Sequence, residues 1–383
     1  MQYDHTSFRA YLLNNAGWPP SVTEFVGTIC SQTNQYSLSF PEMIMQSMDF
    51  KTREWWTLED GMDQLPQALA RVVGLENITF GARVHSIVEE RSGQLCIRAY
   101  RGERVFGGIY DKLLLAIPPG AVRMIPQRPR WPLVKEQGLR SMYYEALYKM
   151  GIRFKTRFWE RLRMPSLGGQ STTDLPIRWI VYPSYGLNED GPGVLLLYSW
   201  MTDASLWSSV NFEQRINMCL THLAAVYAGT GVDIFDQFIS ADDTPWAERN
   251  PMGDAMFLPG QFTQFWKVAR KPERNIYFAG EHLSRHHTWI AGALDSANTA
   301  VQQMLRDWAT ERQGPGIISP EDPLVRPVDG VDQGFVPAIG QPLDAPPVNP
   351  EEQRKDLLRK GLRRFQQDPV GFRDSIDPLS GQA

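Results

Sequence analysis

Few cysteines and little net charge narrow the kinds of function that this sequence can have. Only three of the 383 residues are cysteines, and Cys30, Cys96 and Cys219 lie far apart. An odd number at this spacing predicts neither a metal site nor a disulfide framework, and buried free thiols are the preferred interpretation. A formal net charge of −4 gives no electrostatic reason to expect a nucleic-acid partner.

Long apolar runs and targeting signals are also missing. No stretch approaches the roughly 18 apolar residues that a bilayer-spanning helix needs, and the short apolar run 194–200 predicts a buried strand instead. The N-terminus, MQYDHTSFRAYLL, has no basic segment followed by an apolar one, so no signal peptide is predicted. We therefore expect no membrane partner. The compartment is undetermined, with the cytoplasm as the default expectation.

The composition that is present describes a globular protein with room for two domains. Hydrophobic residues make up 42% of the 383 residues and aromatic residues 11%, which is enough to bury a sizeable core. Hydrophobic periodicity predicts helices within 4–50, 58–74 and 212–227, several strands within 78–118, and long antiparallel strands over 143–154 and 178–200. A sharp shift to Pro, Gly and acidic residues near the C-terminus predicts a flexible linker.

The segment 275–305, NIYFAGEHLSRHHTWIAGALDSANTAVQQML, is the most informative part of the sequence. It predicts a short strand, a turn through Gly280 and Glu281, and a small-residue helix that starts near Gly292. A strand, a glycine and a helix N-terminus rich in small residues let the backbone approach a planar or phosphate-bearing ligand closely. Glu281 can accept hydrogen bonds from ribose or ribityl hydroxyls, and Trp289 can supply a flat wall.

This segment resembles the carboxy-terminal flavin motif of the FAD-dependent amine oxidases, in which YFAGE is followed by a tryptophan and a Gly-Ala pair. Four further blocks, in the same order as in that family, extend the resemblance over residues 4 to about 310. They lie at 60–66, 78–118, 141–158 and 168–183. The last of them, GGQSTTDLPIRWIVYP, is similar to GGxSxTDLPxRxxYYP and favours the L-amino acid oxidases over the monoamine and polyamine oxidases.

The resemblance implies a mixed fold of the α+β and α/β classes. A partial FAD-binding domain of the glutathione-reductase type would carry an inserted substrate domain made of helices and an antiparallel sheet. The implied divisions are a helical part of the substrate domain at 1–57, a portion of the FAD domain at 58–125, the antiparallel-sheet and helix part of the substrate domain at 126–245, a C-terminal FAD-binding segment at 246–312, a disordered linker at 313–349 and a tail with a short helix at 350–383.

The same resemblance implies roles for individual residues. Lys149 stands where the family places a lysine that holds a water at flavin N5, and Tyr182 matches the tyrosine that holds the substrate carboxylate. Thr288 and Trp289 stand where the family has a Gly-Trp pair at the substrate, so Thr288 departs from the pattern and leaves substrate preference in doubt. The implied FAD contacts are Val84, Trp246, Gly280, Glu281, Trp289 and Ile290. Without their flanking residues, Lys149 would be interpreted as solvated and Tyr182 as ordinary core.

Two histidines lie beside this predicted site. His286 and His287 precede Thr288 directly and could serve as proton-relay groups near neutral pH. No cluster of carboxylates or cysteines accompanies them in the sequence, so we predict no metal site.

The N-terminal part of the family pattern is not found in this sequence. In the family, a strand, a G-x-G-x-x-G loop and a helix bind the FAD pyrophosphate, and an arginine pairs with the substrate carboxylate. The first hundred residues contain no such fingerprint. Three explanations are open: a truncated form of a full-length oxidase, one subunit of a split enzyme, or a non-catalytic relative. For an active enzyme, the expected partner is a second copy in a homodimer or a second subunit that supplies the glycine loop.

The implied function is FAD-dependent oxidative deamination of an L-amino acid. Hydride transfer from the substrate Cα to flavin N5 would give an imino acid, which hydrolyses to a 2-oxo acid and ammonia. O2 would reoxidise the flavin and yield hydrogen peroxide. The enzyme alternative is a monoamine or polyamine oxidase, which would turn over substrates that have no carboxylate. The alternative outside enzymes is an interaction protein, which would be colourless even beside candidate partners.

Overall fold

The structure, a computed structural model, describes residues 2–32, 34–50, 58, 61–246 and 253–313. The predicted linker at 313–349 and tail at 350–383 lie outside the described residues, apart from Gln313. The chain divides into two compact units, and the described residues of the first lie within 2–50 and 81–300. Those of the second are 58, 61–80 and 301–313. Among the helices of these ranges, none combines the length and apolar character needed to cross a membrane.

Three N-terminal helices confirm the helical prediction for residues 4–50. They span Phe8–Asn14, Pro20–Ile29 and Phe40–Asp49. Ser7 and Ser39 cap the first and third helices, since each hydroxyl accepts a hydrogen bond from a backbone N–H three residues later. A backbone bridge between these two serines joins the starts of the two helices.

A three-stranded antiparallel sheet follows, in the order β1–β2–β3. Its strands are β1 (Arg83–Glu89), β2 (Leu95–Arg101) and β3 (Arg104–Tyr110). Ile87 and Leu95 are buried in a hydrophobic cluster together with residues of the next strand along the chain. The strands predicted at 84–89, 95–100 and 104–106 are therefore confirmed, whereas residues 79–80, also expected to be a strand, lie outside any strand.

A parallel strand pair positions the segment around Gly280. β4 (Leu113–Leu115) pairs with β12 (Ile276–Phe278), although about 160 residues separate them in the sequence. Every residue of β12 is buried, and the N–H of Ala279 continues the pairing by donating to the carbonyl of Leu115. Because the two strands are parallel, Gly280 emerges at their common carboxyl edge, where ligands bind in open α/β sheets.

A five-stranded antiparallel sheet has the order β10–β6–β9–β8–β7. Its strands are β6 (Leu147–Phe154), β7 (Gln170–Thr172), β8 (Trp179–Val181), β9 (Gly193–Trp200) and β10 (Phe238–Pro245). Side chains alternate between the two faces of the sheet. Tyr148, Met150 and Ile152 enter the main hydrophobic core, which helix Phe212–Val226 covers with Leu220 and Leu223. Lys149 points to the opposite face.

The interval 178–200 contains two strands, so the prediction of one long strand there is wrong. β8 ends at Val181, and β9 begins at Gly193. Pro183 has no N–H to donate to a sheet ladder, and Asn188 has a φ of +62°, which is a turn conformation. The chain therefore leaves the sheet and returns to it. β10 is a further strand that hydrophobic periodicity did not predict.

Shorter elements connect these sheets. The remaining helices are Gln64–Val73, Pro119–Arg123, Leu133–Ser141, Met201–Ser205, Phe212–Val226, Ile234–Gln237, Lys267–Ala269 and Ile290–Gln313. The two-residue strands β5 (Tyr144–Glu145) and β11 (Asp254–Ala255) pair antiparallel to each other. A π-helical turn lies at Phe262–Trp266, and single 3₁₀ turns lie at Gln35–Ser37, Leu75–Asn77, Phe158–Glu160, Leu206–Ser209 and Glu281–Leu283.

Candidate functional site

Lys149 is a partly desolvated cation between two aromatic rings. Its Nζ lies 4.8 Å from the ring centre of Tyr198 and 5.2 Å from that of Trp246. Burial lowers the pKa of Lys149, while the charge of Asp254 acts in the opposite direction. Each cation–π contact of this kind contributes about 0.5–2 kcal/mol. The structure thus brings together two residues that the resemblance assigned to the site, Lys149 and Trp246.

Gly280 forms the link between strand β12 and the loop that follows. Its φ is +151°, and a Cβ at this position would lie 2.5 Å from Cε1 of His282, so a larger residue would force the histidine ring to move. The N–H of Gly280 donates to Oγ of Ser296 at 2.9 Å. This bond joins the end of the strand to the helix Ile290–Gln313.

Glu281 holds the loop and strand β11 together. Its carboxylate accepts the N–H of Ala255 at 3.2 Å and the N–H of Thr288 at 2.9 Å. Burial raises the pKa of Glu281, and the charge of His287 opposes that shift. The resemblance implied a contact with cofactor hydroxyls. Each carboxylate oxygen can accept more than one hydrogen bond, so the two backbone contacts leave capacity for that role.

Asp254 connects Lys149 to Glu281. It lies in β11, directly opposite Glu145 in β5. Burial, followed by the charge of Glu281, raises the pKa of Asp254 to about 8, while the charge of Lys149 lowers it. Lys149 and Glu281 therefore lie within electrostatic range of the same carboxyl group. Sequence reasoning missed Asp254, because no motif singles it out.

Thr288 has a backbone conformation that suits glycine. Its φ is +72°, in the left-handed region that β-branched residues rarely adopt. The family resemblance places a glycine at this position, and the structure supplies a physical reason for glycine there. The conformation is held by the hydrogen bond from the N–H of Thr288 to Glu281.

Replacing Thr288 by glycine should raise the free energy of unfolding by about 0.5–1 kcal/mol. The left-handed conformation costs an L-residue about 1–2 kcal/mol, and the greater freedom of glycine in the unfolded chain cancels part of the gain. Urea unfolding of the purified chain measures the change. Thr172→Gly, in strand β7, is the matched control and should destabilise the chain. A loss of stability in both variants would contradict the interpretation of strain at Thr288.

The helix Phe40–Asp49 contacts the loop before the last helix through two histidine–carboxylate hydrogen bonds. His287 Nδ1 lies 2.8 Å from Oε2 of Glu42, and His286 Nδ1 lies 2.7 Å from Oδ1 of Asp49. The predicted relay histidines are therefore tied to the N-terminal helices. The Glu42 charge raises the pKa of His287 against the lowering effect of burial, which is the larger single influence. No motif in the sequence of this helix identifies Glu42 or Asp49 as residues of the site.

Trp289 and Ile290 lie at the entrance to the last helix. The ring of Trp289 meets that of Phe50 edge to face, with 5.5 Å between the ring centres. Ile290 is the first residue of helix Ile290–Gln313 and is exposed. The first backbone N–H groups of an α-helix have no partner within the helix, so this end can donate to a ligand.

The position of Tyr182 does not agree with its implied role. It is buried in the main core, and its hydroxyl lies 3.0 Å from Ser171 Oγ and 3.1 Å from the hydroxyl of Tyr227. Tyr182 shares the sheet face of Ile180, whereas Lys149 lies on the opposite face. The structure therefore does not bring Tyr182 together with Lys149, because successive residues of a strand point to opposite sides.

Val84 lines an open groove beside strand β1. The groove has a volume of about 330 Å³ and is bounded by Arg83, Val84, His85, Tyr100, Met124 and Pro126. The exposed backbone at Val84 and the ring of Tyr100 are suited to contact a planar heterocycle. The resemblance implies such a contact, with the adenine end of FAD, for the Val84 position. The structure does not bring Val84 into contact with the residues around Lys149.

The residues present fit FAD in part. The groove at Val84 suits the adenine end, and the half-buried cation Lys149 with Trp246 suits the neighbourhood of a flavin ring. The start of helix Ile290–Gln313 is a helix N-terminus, where the N–H groups of Gly292 and Ala293 donate to the carbonyl of Trp289. A glycine loop for the pyrophosphate is not in the 383-residue sequence. Within the described ranges, no group of three or more His, Cys, Asp and Glu residues is arranged to hold a metal ion.

The chain is similar to known proteins over most of its length. The model of the flavin-containing amine oxidoreductase family matches residues 16–305. The L-amino-acid oxidase of Vipera ammodytes ammodytes is 27% identical over 309 residues, which cover 80% of this chain and 63% of that protein. The L-amino-acid oxidase of Crotalus adamanteus is also 27% identical over 309 residues, with 80% and 59% covered. The chain thus spans less than two thirds of the length of these relatives.

Comparison with solved structures confirms the mixed helix-and-sheet fold. Cyclohexylamine oxidase from Brevibacterium oxydans IH-35A superimposes with a TM-score of 0.62 at 16% identity, over 80% of this chain and 69% of that one. Wild-type putrescine oxidase bound to putrescine gives a TM-score of 0.60 at 17% identity, over 79% and 69%. At such identities the similarity concerns the fold alone.

Proposed function

The chain belongs to the flavin-containing amine oxidoreductases, and we propose that it forms the substrate-binding region of an FAD-dependent oxidase that deaminates an L-amino acid. The observation that carries the proposal is the half-buried Lys149 cation between Tyr198 and Trp246. Partial desolvation of a charged lysine is costly, so its presence in this aromatic setting favours a chemical role.

The proposed overall reaction converts an L-amino acid, O2 and water into a 2-oxo acid, ammonia and hydrogen peroxide. When bound, FAD supplies the hydride acceptor and the electrons that reduce O2. Lys149 would order a water molecule with its three N–H donors and provide positive charge where negative charge develops. The rings of Trp246 and Trp289 would line the site. Val84, Gly280, Glu281 and Ile290 would contact FAD.

The pyrophosphate of FAD would need a phosphate-binding loop from another polypeptide segment. Strands β4 and β12 offer a natural place for it, since each pairs only with the other among the described strands. A strand, glycine loop and helix from such a segment, for example in a second subunit, would extend this pair and complete a dinucleotide site.

The substrate class rests on the sequence relatives. Two of them are named L-amino-acid oxidases, and the block 168–183 is similar to the pattern of that group. The alternative is an amine without a carboxylate. The position of Tyr182 favours this alternative. Tyr182 was expected to bind the substrate carboxylate, but it does not lie on the sheet face that carries Lys149. The non-catalytic alternative predicts that the chain stays colourless.

The test is a visible spectrum of the full chain with excess FAD, followed by anaerobic addition of substrate. Flavin bands that co-purify with the protein and are bleached by L-amino acids, but not by the corresponding amines, would support the proposal. Bleaching by the amines alone would favour the alternative oxidase. A colourless protein, even when mixed with a polypeptide that carries the glycine loop, would rule out both oxidases.

Lys149→Met should slow the reaction of the reduced, flavin-loaded protein with O2 by about 100-fold or more, because it removes a preorganised charge and donor. Stopped-flow absorbance measures that rate. The bleaching step before it should change less. Lys155→Met is the control, since Lys155 is an exposed lysine of the same chain segment that pairs with Asp236 on the surface. A similar slowing in both variants would contradict the role given to Lys149.

A further inference from the structure

We infer that Glu42 is a positioning residue for the candidate site, because its buried carboxylate fixes the ring of His287 and with it the loop that leads to Trp289. The purpose of this loop rests on the proposed function, whereas the contacts of Glu42 need no bound flavin. Glu42 lies in the first turn of helix Phe40–Asp49, 245 residues before His287 in the sequence.

The Glu42 side chain does not take the role that its place in the helix predicts. Ser39 is the N-cap of this helix, and a glutamate three residues later usually accepts the backbone N–H of the cap in return. Here the N–H of Ser39 donates instead to the carbonyl of Phe257 at 2.9 Å. The carboxylate of Glu42 is therefore not used for capping and contacts other segments of the chain.

One oxygen of the Glu42 carboxylate makes both of these contacts. Oε2 accepts the N–H of Phe257 at 2.9 Å and lies 2.8 Å from Nδ1 of His287. Oε1 is buried and has no hydrogen-bond partner among the described residues. Glu42 is 0% exposed and His287 is 2% exposed, so bulk solvent does not compete for the bond between them.

Aromatic rings hold the imidazole of His287 in place without setting its rotation. The ring of Phe262 stacks on it at an interplanar angle of 5°, with 5.5 Å between the ring centres. The ring centre of Phe257 lies 4.6 Å from that of His287. Such ring contacts tolerate rotation of the imidazole within its own plane, whereas a hydrogen bond is directional. The bond to Glu42 therefore fixes the direction in which Nδ1 points.

Glu281 makes a second connection between the same two segments of the chain. It accepts the N–H of Ala255 and the N–H of Thr288, whereas Glu42 acts two residues after Ala255 and one residue before Thr288. The left-handed φ of +72° at Thr288 persists only where the surrounding contacts over-determine it. The two buried carboxylates supply such contacts directly before Trp289.

The charged and titratable groups around this bond come from several elements. They are Glu42 of helix Phe40–Asp49, Glu281 and His282 of the turn after β12 and, acting on Glu42, Glu145 of β5 and Asp254 of β11. Burial lowers the pKa of His287, but the charge and the hydrogen bond of Glu42, followed by the charge of Glu281, raise it, and the net direction is upward. Loss of the Glu42 charge should therefore be visible in the titration of His287.

The first measurement is a nuclear magnetic resonance titration of the histidine rings in the full chain without flavin. Glu42→Gln keeps one oxygen that can accept both hydrogen bonds, but it removes the charge. We expect the titration midpoint of His287 to fall by about one pH unit or more in this variant. The His287 signal is assigned by its loss in His287→Gln.

The second measurement is hydrogen exchange followed by mass spectrometry, which reports how often the loop opens. In Glu42→Leu, which removes the acceptor, peptides that contain Phe257 and Thr288 should exchange about tenfold faster or more. In Glu42→Gln they should stay within about twofold of wild type, because the hydrogen bonds are kept. The matched control is Glu24→Leu on the neighbouring helix, where the exposed Glu24 pairs with Arg9, and it should change neither measurement.

An unchanged His287 midpoint in Glu42→Gln would overturn the inference, and so would wild-type exchange of the loop in Glu42→Leu. Circular dichroism reports whether each variant folds. If Glu42→Leu does not fold, Glu42→Gln decides by itself: a lower midpoint with a protected loop supports the role of Glu42, and an unchanged midpoint refutes it. Because neither measurement uses flavin, a failure to bind FAD would count against the proposed function and not against this role.

Discussion

Replacing Asp243 by alanine should lower the free energy of unfolding by about 3–5 kcal/mol. Arg215 Nε lies 2.8 Å from Oδ2 of Asp243, and both side chains are buried. Removing one member of a buried ion pair leaves the other charge in a low-dielectric interior without its main compensation. We therefore expect one of the largest losses of stability that a single substitution in this chain can cause.

The surroundings of this pair explain why the loss should be cooperative. The hydroxyl of Tyr148 donates to Oδ2 of Asp243 at 3.2 Å, and Nη1 of Arg215 donates to the carbonyl of Trp207 at 3.0 Å. The rings of Tyr148 and Trp207 stack with 4.8 Å between their centres. The pair thus joins strand β10 to the helix that covers the main core, and its loss disturbs several buried contacts at once.

The exposed pair of Lys155 and Asp236 provides the control. Its atoms are 3.1 Å apart, but the two side chains are 51% and 67% exposed. Exposed pairs of this kind contribute at most about 1 kcal/mol, so Asp236→Ala should change stability little. Urea unfolding of both variants gives the comparison. Similar losses in the two variants would mean that the Arg215–Asp243 pair is solvated enough to behave as a surface contact.

Local patterns were sufficient to predict several elements of this fold. Leu65, Leu69 and Val73 recur at helical spacing, and the helix Gln64–Val73 is found there. The segment around Gly280 was predicted as a strand, a glycine turn and a helix, and β12 and helix Ile290–Gln313 confirm it. These features depend on residues close together in sequence, so their physical causes are visible in the sequence itself.

The site depends on relations that a single sequence does not display. Which face of a strand a residue occupies follows from its register, and a displacement by one residue reverses the face. Tyr182 illustrates this, because it shares the core face with Ile180, while Trp179 and Val181 take the other face. The contacts of Glu42 with His287 and of Ala255 with Glu281 join distant segments, and neither pair has a motif.

Asp254→Asn should make the chain more stable than wild type at alkaline pH. The folded-state pKa of Asp254 is raised from 3.8 to about 8 by burial and by the charge of Glu281. Between these values the folded chain holds a proton that the unfolded chain releases, so wild-type stability falls as pH rises toward 8. Asparagine stays neutral, and this part of the pH dependence should disappear in the variant.

The useful window for this measurement is pH 6.5 to 8.5. Below it, His282 complicates the comparison, because burial lowers its pKa to about 3 and its protonation in the unfolded state destabilises the fold as pH falls. Each pH unit in the window changes stability by at most about 1.4 kcal/mol per proton, so the variant should gain on the order of 2 kcal/mol relative to wild type.

Asp236→Asn, at an exposed position, should follow the wild-type curve. A constant difference between Asp254→Asn and wild type across this window would show that Asp254 is already ionised in the folded chain at pH 6.5.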